Sequence, residues 1–141
     1  MFNAGGKPIQ AITVLLVEDN PRDAALVLRA LGDRVPRFDV STVSTLADAL
    51  ISLNRSSFDV ILLDIVLPDS DGFATIAAIR KAAPALPLIV LTGFADNDMA
   101  VAAVEAGIQD YLIKGDFEIA MIERAVRHAI ARNHLEERLR A

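Results

Sequence analysis

The stretch FDVILLDIVLPDSDG, from Phe58 to Gly72, decides the fold because its long apolar run carries a single acid. Four apolar residues precede Asp64 and three follow it. A lone carboxylate among apolar side chains is costly to bury unless it is paired. We therefore interpret residues 59–65 as a strand buried on both faces, with Asp64 at its carboxyl end, and residues 68–72 as the turn that follows.

Four other short apolar runs predict strands of the same kind, at residues 11–17, 38–43, 87–92 and 110–114. Apolar residues at helical spacing predict a helix after each of the five strands, at residues 21–31, 45–54, 72–82, 96–107 and from 117 onwards. The run at 38–43 alternates apolar and polar residues, which indicates a strand nearer a sheet edge.

Local signals at the helix ends support these boundaries. Asn20 is a candidate N-cap for the first helix, Thr45 opens a sequence like a capping box for the second, and Asp71 is a candidate cap for the third. Gly32 and Gly107 are candidate stops after the first and fourth helices, because glycine adopts the left-handed conformation without steric cost.

Regular alternation of apolar strands and helices predicts an α/β fold with a parallel sheet covered on both faces. We predict a doubly wound, flavodoxin-like (βα)5 domain with five parallel strands in the order 2-1-3-4-5 and an extended last helix. Residues 11–131 would form this domain. Residues 1–10 are expected to be a flexible N-terminus, and residues 132–141 a C-terminal extension of the last helix.

The bulk composition excludes several classes of function. The 141 residues suit one domain, and 53% of them are hydrophobic, which is ample for a core. A net charge of −5 argues against direct nucleic-acid binding, and the absence of cysteine excludes disulfides and thiolate chemistry. No apolar run approaches the roughly 18 residues of a membrane span, and residues 1–10 lack the apolar centre of a signal peptide. The expected location is the cytoplasm, without membrane contact.

Five polar residues stand where the predicted strands end. Glu18 and Asp19 follow the first strand, Asp64 ends the third, Thr92 ends the fourth and Lys114 ends the fifth. In an open parallel sheet, ligands bind outside the carboxyl ends of the strands. Because these strands are neighbours in the predicted order, we expect all five side chains to converge on one edge of the sheet.

These residue types together favour phosphoryl-transfer chemistry. Carboxylates held close together repel one another unless a cation intervenes, and oxygen ligands favour Mg²⁺. A carboxylate can also attack phosphorus, while a metal, a lysine and a hydroxyl neutralise the transferred group. Asp64 is the best nucleophile candidate because of its central position. Each residue alone is more simply a helix cap or a solvated charge, but those readings explain one position at a time.

Four motifs carry a resemblance to a known family. The segments LLVEDN, VILLDIVLPDSDG, IVLTG and AGIQDYLIKG closely resemble the receiver domain of two-component response regulators. The resemblance covers about residues 12–130. It implies a phosphoacceptor module rather than a turnover enzyme, and a sensor histidine kinase or phosphotransfer protein as its partner.

The resemblance also implies individual roles. Asp64 would accept a phosphoryl group from a phosphohistidine. Asp19 and Asp64 would bind Mg²⁺ directly, together with the backbone carbonyl of Val66, and Glu18 would hold the ion through water.

Two further positions match the family's conformational switch. Thr92 would contact the phosphoryl oxygens together with Lys114, and Tyr111 falls on the family's switch aromatic. Phosphorylation of Asp64 would then reshape the face made by the fourth helix, the fifth strand and the last helix.

The sequence departs from the family pattern at three positions. Gly115 replaces the usual proline after Lys114, and a non-proline cis bond costs about 3–4 kcal/mol, so we expect a trans bond there. Val66 and Phe94 fall on positions that tune the lifetime of the aspartyl phosphate. Both are apolar and cannot orient a hydrolytic water, which predicts slow self-dephosphorylation.

Two alternatives and one further interaction remain open from the sequence. The chain is alternatively a degenerate receiver that serves as a protein-binding scaffold, or an aspartyl-phosphate phosphatase, although Val66 stands where such enzymes carry a second acid. Leu135 and Leu139 lie i, i+4 on the last helix. They suggest a homodimer through that helix, or through the face of the fourth helix, fifth strand and last helix.

Overall fold

The computed structural model describes residues 11–32, 38–93, 97–114 and 119–140. In chain order these residues form β1 (Ile12–Val17), α1 (Pro21–Gly32), β2 (Phe38–Val43), α2 (Leu46–Arg55), β3 (Val60–Asp64), β4 (Val66–Leu67), β5 (Ser70–Asp71), α3 (Phe73–Ala82), β6 (Leu88–Thr92), α4 (Asn97–Glu105), β7 (Asp110–Ile113) and α5 (Ile119–Arg140).

The main sheet has five parallel strands in the order β2-β1-β3-β6-β7. Since β6 and β7 are the fourth and fifth strands of this sheet, the predicted order 2-1-3-4-5 is confirmed. The strand β2 lies at one edge, as its alternating sequence predicted. The strands β4 and β5 form a separate antiparallel pair that the sequence did not predict.

The sheet is buried on both faces because consecutive residues of its central strands point to opposite sides. On one side Val14 and Leu16 of β1 pack with residues of α1 and α5. On the other side Leu15 and Val17 pack with residues of α2, α3 and α4. All four side chains are fully buried. Burial of each contributes roughly 1.5–3 kcal/mol. Because both faces of these strands are buried, their sequences are continuous apolar runs and do not alternate.

The first two helices begin as their capping residues predicted. The Oδ1 atom of Asn20 accepts hydrogen bonds from the backbone N–H groups of Arg22 (2.9 Å) and Asp23 (3.3 Å). The Oγ1 atom of Thr45 accepts from the N–H of Asp48 at 3.1 Å. Each side chain thus satisfies backbone donors that a helix start leaves without intrahelical partners.

The prediction that Asp71 caps the third helix is wrong. The helix α3 begins at Phe73, its N-cap is Gly72 with φ 66°, and no side chain caps it. Asp71 belongs to β5, where it pairs with Val66. This pairing holds Asp71 in extended backbone, and Gly72 supplies the positive φ that turns the chain into the helix.

The prediction that Gly107 ends a helix in the left-handed conformation is confirmed, and the same prediction for Gly32 is wrong. Gly107 has φ 82° and follows α4, and the N–H of Ile108 reaches back to the carbonyl of Ala103 at 3.2 Å. Gly32 has no positive φ and is the last residue of α1. Leu31 beside it is fully buried, and Gly32 itself has helical backbone.

The last helix is extended, as predicted. The helix α5 has 22 residues, which corresponds to about 33 Å. Its buried residues are Ile122, Ala125, Val126 and Ala129. Farther along, Leu135 and Leu139 are 57% and 78% exposed, so the last turns do not pack on the sheet. Within the described residues, no helix is long and apolar enough to cross a membrane.

Candidate functional site

The carboxyl ends of the sheet strands bring the predicted site residues to one edge. Glu18 and Asp19 directly follow β1, and Asp64 is the last residue of β3, beside Leu91 of β6. Thr92 ends β6, and its carbonyl accepts a hydrogen bond of 2.6 Å from the N–H of Lys114, just after β7. The convergence predicted from the sequence is therefore present.

Three carboxylates form the centre of this edge. One ligand oxygen from each of Glu18, Asp19 and Asp64 lies within 4.8 Å of the other two. Glu18 and Asp64 are buried, at 2% and 5% exposure, whereas Asp19 faces solvent. Thr92 beside them is also fully buried. The cluster therefore combines two acids shielded from water with one open acid.

Lys114 is the positive charge of the site. Its Nζ atom lies 3.0 Å from Oδ2 of Asp64, 2.5 Å from Oε1 of Glu18 and 2.9 Å from Oδ2 of Asp23. Burial alone would lower the pKa of this ammonium, but its hydrogen bonds to the three acids outweigh burial and raise the pKa above its ordinary value. Lys114 is thus held as a cation among carboxylates.

Asp23 is a site residue that sequence reasoning missed. It lies in the first turn of α1, and its Oδ2 atom accepts a hydrogen bond from the Lys114 ammonium. The available signal was an acid four positions after Asp19, in the helix that begins at this edge of the sheet. That signal is weak because acids are common in first turns, where they complement the helix dipole.

The pKa of Glu18 indicates that this acidic site lacks positive charge. Burial first, and then a hydrogen bond with Asp64, raise the pKa of Glu18 to about 7 against the opposing effect of Lys114. Its Oε1 atom lies 2.5 Å from the Lys114 ammonium, which is shared with Asp64 and Asp23. A buried carboxylate in this state favours an additional cation nearby.

Val66 lies beside the central acid, at the start of β4. Its N–H donates to Oδ1 of Asp64 at 3.0 Å. The side chain of Val66 is 43% exposed. Phe94, the other predicted lifetime position, and Gly115, whose peptide bond was predicted trans, lie outside the described residues, as does the segment 1–10.

Tyr111 lies on β7, and β6 separates it from the strand that carries Asp64. Its side chain is half-buried and packs against the apolar cluster on the α4 side of the sheet. Its hydroxyl oxygen is buried without a hydrogen-bond partner among the described residues. A buried unpaired hydroxyl costs free energy, so this side chain gains from any rearrangement that gives the hydroxyl a partner.

The donor set fits a hard divalent cation. Carboxylate oxygens are the ligands that Mg²⁺ prefers, and Mg²⁺ commonly keeps several waters. The raised pKa of Glu18 agrees with a site that gains from added positive charge. Exposed Asp19 leaves one side of the cluster open to an ion and to a larger ligand.

The fold and this cluster agree with one protein family. The family model of the response regulator receiver domain matches residues 14–127. This chain belongs to that family. Receiver domains are signalling modules of two-component systems, they bind Mg²⁺ in the acidic pocket, and response regulators interact with histidine kinases.

Individual relatives support the assignment. The transcriptional regulatory protein ZraR of Salmonella typhimurium is 32% identical over 123 residues, which are 83% of this chain and 27% of that protein. The chain thus spans about a quarter of the length of that curated relative.

Two solved structures of similar proteins contain a metal ion. The receiver domain of the sensor histidine kinase PA1611 from Pseudomonas aeruginosa has a magnesium ion in its active-site cleft. It is 32% identical, with a TM-score of 0.71, and covers 86% of this chain and 99% of that chain. A response regulator from Burkholderia pseudomallei has a phosphorylated aspartic acid, a calcium ion and citrate. It is 28% identical, with a TM-score of 0.72, and covers 92% of this chain and 74% of that chain.

Proposed function

We propose that this receiver domain is a phosphorylation switch in which Asp64 accepts a phosphoryl group from a phosphohistidine. The observation that carries the proposal is the contact of Asp64 with Lys114 inside the cluster of Glu18 and Asp19. A phosphorylated aspartic acid in a similar response regulator agrees with it. The donor is a sensor histidine kinase or a phosphotransfer protein.

The transfer requires little covalent chemistry from this chain. A carboxylate oxygen of Asp64 attacks phosphorus and forms an O–P bond, while the P–N bond to the donor imidazole breaks. The bonding electron pair stays on the imidazole nitrogen. Lys114 stands 3.0 Å from the attacking carboxylate, where its charge stabilises the negative charge of the transferred group.

The acids at the carboxyl ends of the strands would hold Mg²⁺ in this reaction. In our proposal Asp19, Asp64 and the backbone carbonyl of Val66 bind the ion, and Glu18 holds it through water. When bound, Mg²⁺ neutralises the carboxylates and the phosphoryl oxygens. The burial of Asp64 limits the access of bulk water to the acceptor.

Thr92 and Tyr111 would convert phosphorylation into a change of surface. In the proposed switch, Thr92 contacts a phosphoryl oxygen and Tyr111 repositions. The unpaired hydroxyl of Tyr111 and its place against the α4 side of the sheet support this role. The affected face would be the one made by α4, β7 and α5.

A second copy of the chain is a proposed partner on that face. Val101 and Val104 of α4 are 58% and 68% exposed, and Met121 of α5 is 41% exposed. Leu135 and Leu139 offer a second apolar strip on the end of α5. Sedimentation of the phosphorylated domain would show concentration-dependent dimers that Val104→Glu weakens, while Ile51→Glu on α2 leaves them intact.

Neither alternative function has a specific observation in its favour. A scaffold that no longer accepts phosphate has no need for Lys114 to lie among buried acids. A phosphatase would require an acid or base two positions after Asp64, where Val66 stands. We therefore propose a signalling module without turnover, located in the cytoplasm.

Phosphoryl transfer from a small phosphoramidate donor tests the proposal. Wild-type protein with Mg²⁺ should gain one phosphoryl group that alkali and hydroxylamine remove, as expected for an acyl phosphate, and Asp64→Asn should gain none. Addition of a chelator should prevent the reaction. Labelling of Asp64→Asn at the wild-type rate would exclude Asp64 as the acceptor, and release of free phosphate with continuous turnover would favour the phosphatase.

A further inference from the structure

A small hairpin connects the acceptor Asp64 to helix α3. Its strands β4 and β5 pair Val66 with Asp71 and Leu67 with Ser70. An isolated two-stranded hairpin is marginally stable at best in water, and here each strand has only two residues. The position of this hairpin must therefore depend on contacts with the rest of the domain.

On one side the hairpin is tied to α3. The hydroxyl groups of Ser70 and Thr75 lie 2.7 Å apart, and Thr75 is fully buried. The Oγ1 atom of Thr75 also donates to the carbonyl of Ile65 at 3.3 Å, and the N–H of Gly72 donates to the same carbonyl at 2.8 Å. These bonds fix the base of the hairpin.

On the other side the tip of the hairpin is tied to α2 by a single residue. The Oδ1 atom of Asp69 accepts from the N–H of Leu46 at 2.8 Å, and its Oδ2 atom accepts from the N–H of Ala47 at 3.0 Å. Bonds from the N–H groups of Ala47 and Leu46 lower the pKa of this exposed carboxyl. The next N–H group, of Asp48, is taken by Thr45.

We propose that Asp69 is a positioning residue that docks the β4–β5 hairpin on the N-terminus of α2 and thereby sets the backbone of Val66 at the metal site. This role rests on the proposed function, in which the Val66 carbonyl binds Mg²⁺. Asp69 touches neither metal nor phosphoryl group. It acts through the two residues, Leu67 and Pro68, that separate it from Val66.

The geometry explains why one exposed acid suffices. The carboxylate uses both oxygens on two adjacent N–H groups of a helix start, which restricts both its distance and its orientation. The negative charge also complements the helix dipole. Because Val66 donates its N–H to Asp64, a displaced hairpin would change the acceptor carboxylate and the Val66 carbonyl together.

Two variants and one matched control test the proposal. Asp69→Ala removes both bonds to α2, and Asp69→Asn keeps one accepting oxygen. Thr45→Ala removes a cap from the same helix start without touching the hairpin. If Asp69 only stabilised α2, Asp69→Ala and Thr45→Ala would have the same effects.

Two measurements separate a positioning role from a capping role. Amide hydrogen exchange of residues 66–71 in metal-free protein should accelerate in Asp69→Ala and stay unchanged in Thr45→Ala. Calorimetric titration should give about tenfold weaker Mg²⁺ binding in Asp69→Ala, at the low end of the loss seen when a residue that orients a metal ligand is removed. Asp69→Asn should lie between wild type and Asp69→Ala.

The outcomes distinguish this inference from the proposed function. If wild type binds Mg²⁺ and Asp69→Ala binds it equally well with unchanged exchange, the positioning role is overturned alone. If wild type binds no Mg²⁺, the proposed function fails, and the positioning of a metal ligand fails with it. Equal losses in Asp69→Ala and Thr45→Ala would also overturn the inference, because they would show a capping role only.

Discussion

The ammonium of Lys114 lies 3.0 Å from Oδ2 of Asp64, although the two residues are 50 positions apart in the chain. The same ammonium pairs with Glu18 and Asp23, so one cation faces three carboxylates. The contact joins the end of β7 to the ends of β3 and β1. One positive charge does not balance three carboxylates, and this deficit favours the binding of a divalent cation.

Replacement of Lys114 by methionine should destabilise the metal-free domain and make its stability more dependent on Mg²⁺. Without the ammonium, the buried carboxylates of Glu18 and Asp64 lose their counter-charge. Removal of one partner from a buried ion pair costs about 3–5 kcal/mol, and the partial exposure of Lys114 places this case near 3 kcal/mol. Urea unfolding with a chelator and with saturating Mg²⁺ measures both effects.

Lys81 provides the matched control for that experiment. It is an exposed lysine on α3. Surface substitutions usually change the unfolding free energy by less than about 0.5 kcal/mol, so Lys81→Met should behave like wild type. A Lys114→Met protein as stable as Lys81→Met, or one that gains no more from Mg²⁺ than wild type does, would contradict the role given to Lys114.

The metal-free domain should lose stability as the pH rises from about 4.5 to about 7 because of Glu18. The pKa of Glu18 is raised to about 7 from an ordinary value of 4.5, first by burial and then by Asp64. The folded state therefore holds this proton more tightly than the unfolded state does. The contribution is complete below the unfolded pKa and is lost as the pH passes the folded pKa.

The variant Glu18→Gln should flatten this part of the pH profile. An amide keeps the shape of the side chain but does not titrate. Thermal unfolding in a chelator, followed by circular dichroism at several pH values, measures the slope for both proteins. A wild-type profile parallel to that of Glu18→Gln between pH 4.5 and 7 would show that Glu18 does not carry the shift.

The variant Tyr111→Phe should make the unphosphorylated domain more stable by about 1 kcal/mol. The hydroxyl oxygen of Tyr111 is buried without a partner in the described residues, and such groups cost about 1–3 kcal/mol. Phenylalanine keeps the ring against the apolar cluster and removes the cost. Urea unfolding measures the change, and Tyr111→Ala, which removes the ring as well, should be clearly less stable than wild type.

The outcome at Tyr111 also bears on the switch. If the hydroxyl finds a partner after phosphorylation, Tyr111→Phe should lose part of the stabilisation that phosphorylation gives. A Tyr111→Phe protein that is less stable than wild type before phosphorylation would show that the hydroxyl already has a partner in solution.

The fold was predictable because its signals are local and repeated. Each sheet strand is a short apolar run, and helical patterns separate the runs, so the order of the strands follows from general rules of parallel sheets. The residues at the carboxyl ends of the strands were predictable for the same reason, since the end of a strand can be read from the sequence. Glu18, Asp64 and Lys114 therefore came together as expected.

The missed features leave no clear signal in the local sequence. Strands β4 and β5 have two residues each, which is too short for a periodic pattern. Asp23 and Asp69 look like ordinary acids in a helix start and a turn. Their partners, Lys114 and the first turn of α2, lie 91 and 22–23 positions away, so only the folded chain shows what these acids bind.

Phosphorylated protein should lose its phosphoryl group slowly, and Val66→Asn should accelerate the loss. Val66 lies two positions after the proposed acceptor, with its apolar side chain 43% exposed beside the site. Valine cannot orient an attacking water, whereas asparagine offers both a donor and an acceptor. An oriented water that lacks a general base should accelerate hydrolysis by about tenfold, below the ~100-fold of acid–base catalysis.

Decay of labelled protein after removal of donor measures the rate. Phe94→Glu provides the second comparison at the other lifetime position, and wild-type decay as fast as that of both variants would contradict the prediction.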